Sequence, residues 1–67
     1  MLTRSAAAQT LWFLVENHSG LTESEYATMM YGDDGYQQRV NADSNYLERM
    51  DLIRVDRSDG KKRLYRA

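Results

Sequence analysis

The sequence predicts a mainly α-helical domain with a small β-hairpin: three helices followed by two strands. Three observations predict it. Apolar residues recur at three- and four-residue spacing up to Met50, glycines at 20, 32 and 35 divide that stretch into segments of helix length, and after Asp51 the pattern changes to strict alternation around an Asp59-Gly60 pair.

The first helix is expected over residues 6–17, where Ala8, Leu11, Trp12 and Val15 line one face. Thr3 or Ser5 is placed to cap its start, and Gly20, free to take a left-handed conformation, to close it. Trp12 and Phe13 read as core, as do Met29 and Met30, rather than as a stacking platform. Phe13 or Leu14 can also fall off the main stripe and serve a dimer contact.

The second helix has the sharpest local signature. Thr22 stands three residues before Glu25, the reciprocal pattern that satisfies two unpaired helix amides, and Leu21 and Tyr26 flank it as a hydrophobic staple. Gly32 ends it after Tyr31. In the polar connection Gly32-Asp33-Asp34-Gly35, Asp33 or Asp34 is placed to cap a third helix over residues 36–50. Its apolar stripe is Tyr36, Val40, Leu47 and Met50, interrupted by Asp43.

Ile53 to Asp56 and Lys61 to Arg66 then read as strands joined by Asp59-Gly60 as a two-residue turn. That register sets Val55 opposite Leu64, Asp56 opposite Arg63 and Arg54 opposite Tyr65, so apolar meets apolar and unlike charges meet. Arg54 over Tyr65 reads as a structural cation-π pair.

Length and composition bound the possibilities. The 67 residues suit one domain with one small core, and 42% hydrophobic with 28% charged residues is a globular balance. There is no Cys, so neither disulfide nor thiolate metal site can reinforce the fold, in keeping with a cytoplasmic protein. The longest apolar run, Leu11 to Val15, is far short of the roughly 20 residues of a membrane span. A secretory signal is not expected at Met1 to Val15, because Gln9 and Thr10 interrupt the apolar run. Net charge is -1, but its placement is uneven: residues 1–35 carry Arg4 against five acids, residues 36–67 eight bases against five acids. Screening confines each charge to about 8 to 10 Å at physiological salt, so the second half can attract phosphate locally.

The segment Tyr46-Leu47-Glu48-Arg49-Met50-Asp51-Leu52-Ile53-Arg54-Val55 resembles the junction between recognition helix and wing in the winged helix-turn-helix family, and the order of elements along the chain is similar. Leu47, Glu48, Leu52 and Ile53 match that junction, and Asp51 stands where many members have glycine. The resemblance implies a third helix entering the major groove of duplex DNA and a wing touching the backbone nearby. Opposite the apolar stripe lie Gln38, Asn41, Ala42, Asn45 and Arg49. Amides can match the adenine edge and Arg the guanine edge, so Gln38, Asn41, Asn45 and Arg49 are the base-contacting candidates; the plain alternative is a solvated helix face. Arg57, Lys61, Lys62 and Arg63 suit phosphate contact in the wing, although charges there also protect an edge strand.

Catalysis is not expected, because the chain offers one His, no Cys and no phosphate-cradling glycine loop. His18 reads as a helix-end residue, and Glu23, Glu25, Asp33 and Asp34 as caps and a solvated face rather than metal ligands. No cofactor is expected. The expected function is therefore sequence-specific DNA binding in transcription regulation, with a homodimer suiting symmetric sites. The competing expectation is a module of the same fold that binds a protein partner, such as a small phage or plasmid regulator or inhibitor.

Overall fold

The computed structural model describes residues 5–67. Helix α1, Ala6–Asn17, begins at Ser5, whose side chain accepts a hydrogen bond from the Ala8 amide at 3.2 Å. Thr3, the other expected cap, lies outside the described residues. Ala8, Leu11 and Val15 form its buried face, with Trp12 and Leu14 packed partly against the core. Phe13 does not join them: it is 64% exposed, because it sits about 200° around the helix from Leu11. The helix ends at His18, before Gly20, and Gly20 (φ 95°) instead turns the chain into a short strand.

That strand, β1 (Leu21–Thr22), was not expected from the alternation pattern, which two residues cannot display. Helix α2, Glu23–Tyr31, follows with the full capping box: the Glu25 amide donates to Thr22 at 3.2 Å and the Thr22 amide to Glu25 at 2.8 Å. Gly32, at φ 75°, ends the helix. Met29, expected in the core, is 43% exposed on the side away from Ala27, while Met30 is partly buried.

Asp33 caps a 3-10 turn, Asp34–Tyr36, by accepting from the Gly35 amide at 2.8 Å. Helix α3, Gln37–Arg49, follows without a side-chain cap. Its inward face is narrower than the sequence suggested: Val40 and Leu47 are fully buried, but Tyr36 and Met50 at the two ends are 42% and 54% exposed. Asp43 and Ser44, both buried, fill the middle instead. Asp51, at φ 59°, makes the left-handed turn out of the helix, and the Leu52 amide bonds back to the Leu47 carbonyl at 3.0 Å.

Strands β2 (Ile53–Asp56) and β3 (Arg63–Arg66) pair antiparallel in the expected register, Val55 with Leu64, Asp56 with Arg63 and Arg54 with Tyr65. The loop between them is longer than two residues. Residues 57–62 form it, with the Gly60 amide bonded to the Arg57 carbonyl and Gly60 at φ 83°. The Asp56 and Asp59 side chains accept from the Ser58 and Lys61 amides, which favours this wider turn over a tight one. β3 also pairs with β1, giving a three-stranded antiparallel sheet of order β1-β3-β2 where two strands were expected. The molecule is thus mainly helical with a small sheet, and Ile53 and Leu64 carry the sheet's apolar face into the helical core.

Tyr26 knots these elements. Fully buried, it donates to the His18 carbonyl at the end of α1, accepts from the Leu21 amide at 3.4 Å and lies 3.2 Å from the Leu64 carbonyl of β3. Among the described residues no helix is long and apolar enough to cross a membrane.

Candidate functional site

The outward stripe of α3 contains Gln38 and Ala42, both exposed, Asn45, half-buried, and Arg49, exposed. These four positions fall within about 60° of one another around the helix, because steps of four, three and four residues nearly complete whole turns. None carries a carboxylate. Asn41, the fifth expected member, lies toward the flank and is half-buried.

Asn41 and Asn45 are engaged in a polar network that the sequence reading did not foresee. Glu23, at the start of α2, is only 3% exposed, and its carboxylate accepts from Asn41 Nδ2 at 3.1 and 3.2 Å and from the Ser44 hydroxyl. Lys62 reaches in from the loop between β2 and β3, its Nζ 2.8 Å from Glu23 Oε2, 3.0 Å from Ser44 Oγ and 2.8 Å from Asn45 Oδ1. Asn45 Nδ2 donates to Asn41 Oδ1 at 3.3 Å and completes the circuit. Burial raises the Glu23 pKa, but the hydrogen bonds from Lys62, Ser44 and Asn41 and the Lys62 charge outweigh it, leaving the carboxyl below its ordinary value.

The cations of the hairpin loop therefore divide. Lys62, expected on phosphate, has its ammonium turned inward, with side-chain exposure of 14%. Arg63 is also committed: its Nε donates to Asp59 at 2.8 Å, its Nη1 donates to the Gly20 carbonyl at 3.0 Å, and Glu25 lies 4.0 Å away. The causes differ: Lys62 meets a carboxylate shielded from water, where a charge-assisted hydrogen bond is strong, whereas Arg63, at the start of β3, is held by an exposed pair with Asp59 and by the Gly20 carbonyl. Arg57 and Lys61 are exposed, and their side chains make no hydrogen bond or ion pair among the described residues. Lys61, Lys62 and Gln37 line one cleft with Thr22, Glu23 and Ser24, so the loop tip adjoins the start of α3.

Arg39 was also missed. It lies over the Tyr36 ring at 5.6 Å, and Tyr36 stacks on Tyr31 with centroids 4.7 Å apart, so the cation is held exposed at the first turn of α3. Among the described residues a cation-π contact thus falls here, whereas Arg54 and Tyr65 are cross-strand partners. The i, i+3 spacing of Tyr36 and Arg39 was the available signal.

Among the described residues no group of three or more His, Asp or Glu side chains is placed to hold a metal ion. Comparison with protein-family models, with curated protein sequences and with solved structures found no match.

Proposed function

We propose that the chain is a winged helix-turn-helix module that binds duplex DNA, with α3 in the major groove and the loop between β2 and β3 as a wing on the adjoining backbone. The observation that carries this reading is the carboxylate-free outward stripe Gln38, Ala42, Asn45 and Arg49, together with the exposed cations Arg39 on the same helix and Arg57 and Lys61 in the loop between β2 and β3. Arg49 can take a guanine edge in two hydrogen bonds, the Gln38 amide an adenine edge, and the Ala42 methyl group can meet a thymine methyl. Arg39, Arg57 and Lys61 supply phosphate contacts, which position the helix without reading sequence. The order α1, β1, α2, α3, β2, β3, with β1 zipped to the wing, supports this architecture.

Titration of a labelled random duplex at low and high salt tests it. Affinity is expected to fall steeply with salt, with the logarithmic slope lowered by about one for each phosphate contact removed, as in Lys61→Ala or Arg57→Ala. No binding at low salt would defeat it. The second reading, a protein partner or a second copy of the chain, has one observation in its favour: Phe13, 64% exposed on the outer face of α1. Under that reading Phe13→Ser abolishes self-association in sedimentation and removes the concentration dependence of the melting temperature, while the chain stays folded.

A further inference from the structure

The circuit through Glu23, Asn41, Asn45 and Lys62 has a direction. A carboxylate only accepts hydrogen bonds and an ammonium only donates them, whereas an amide does both. Asn41 must turn Nδ2 to Glu23, which leaves its Oδ1 to accept from Asn45 Nδ2; Asn45 must then give its Oδ1 to Lys62. The two charged ends thus settle both amide orientations, which geometry alone leaves ambiguous. All three Lys62 hydrogens are used, on Glu23, Ser44 and Asn45.

We infer that Lys62 is a specificity-determining residue: by holding Asn45 Oδ1, it makes Asn45 a hydrogen-bond donor rather than a combined donor and acceptor toward whatever α3 reads. The inference rests on the DNA reading above. Asn45 lies half-buried on the outward stripe, between Ala42 and Arg49. Its Nδ2 carries a second hydrogen beyond the one given to Asn41. Its Oδ1 stands 2.8 Å from a cation, which repels the amino hydrogens of adenine N6 or cytosine N4. The paired contact by which a free Asn reads adenine is therefore disfavoured, and an acceptor edge is favoured. Guanine offers two such acceptors, O6 and N7, and Arg49, one helical turn further on, is also donor-only. The second half of α3 is a donor surface suited to guanine.

Selection from a pool of randomised duplexes, with wild type and two variants, tests this. Wild type is expected to favour guanine over adenine at the base pair under Asn45. Asn45→Asp keeps a partner for Lys62 but has no N–H, and is expected to move that position to cytosine, whose N4 donates, by roughly tenfold in affinity. Glu23→Gln with Lys62→Met removes the ammonium without stranding a buried carboxylate, and is expected to shift the same position from guanine toward adenine. Adenine at that position in wild type overturns the inference, with no variant needed. So does a folded Asn45→Asp whose preference is unchanged at every position, while salt-dependent DNA binding persists. Absence of salt-dependent duplex binding by wild type defeats the DNA reading itself and takes this inference with it.

Discussion

Lys61 and Lys62 are adjacent and chemically identical, yet their environments assign them opposite work. Lys62 is paired with a carboxylate that is 96% shielded, whereas Lys61 is exposed. Removing one partner of a buried pair leaves the other charge without compensation, so Lys62→Ala is expected to cost about 3 to 5 kcal/mol in urea unfolding. That is a large part of the total stability of a domain this small, of order 3 to 10 kcal/mol at ordinary values per residue. Lys61→Ala should stay within about 0.5 kcal/mol of wild type in the same measurement. Equal losses for the two would remove the inward Lys62. Sequence alone could not separate them, because both lie in a polar run after Asp59-Gly60 and alternation does not say which side chain finds a carboxylate from another element.

At the scale of elements, local chemistry and long-range contacts hold different pieces. The α2 start is self-contained, since Thr22 and Glu25 exchange hydrogen bonds within four residues. Thr22→Ala is expected to lower stability by roughly 1 kcal/mol, read from the denaturation midpoint. Tyr26 ties α1, α2 and β3 through one hydroxyl, and Tyr26→Phe removes those bonds while keeping the ring. Its expected cost is about 1 to 3 kcal/mol, because the His18 carbonyl loses its donor and the Leu21 amide its acceptor. Amide hydrogen exchange should quicken at Leu21 and in β3 and leave α3 protected; acceleration confined to α2 would rule out the tie. The capping box was legible in the sequence as a four-residue motif. The Tyr26 tie was not, because Leu64 lies 38 residues away.

For the molecule as a whole, the carboxylates with resolved shifts all point the same way. Glu23, Glu25, Asp56 and Asp59 have folded pKa values below their ordinary ones. For Glu25 the cause is the Thr22 backbone and side-chain hydrogen bonds, for Asp56 the bonds from Ser58, and for Asp59 those from Arg63 and Lys61. A depressed folded pKa contributes stability that is present above the unfolded value and lost as pH falls through the folded one. Stability is therefore expected to be level near neutrality and to decline as pH drops past 4.5, the ordinary Glu value. Thermal melts between pH 7 and pH 2 measure it. Glu23→Gln, less stable at neutral pH, should show a smaller decline, and an identical pH profile would mean that Glu23 is not charged in the folded protein.

Sequence by itself determined the parts whose causes are local. Spacing of apolar residues located three helices, Thr22 and Glu25 marked a helix start, and cross-strand complementarity set the register of β2 and β3. Each follows from residues within a few positions of one another or from a period along one element. Only the tertiary structure decided which polar side chains face outward. Asn41, Asn45 and Lys62 look equally available in the sequence, but Glu23 gathers them across α2, α3 and the hairpin loop. A buried carboxylate must be satisfied by whatever donors the fold brings within reach, and which donors those are is fixed by packing, so of the expected candidates Gln38, Arg49, Arg57 and Lys61 stay exposed and Arg39 and Ala42 join them, while Asn45 keeps its place on the stripe with its carbonyl held inward.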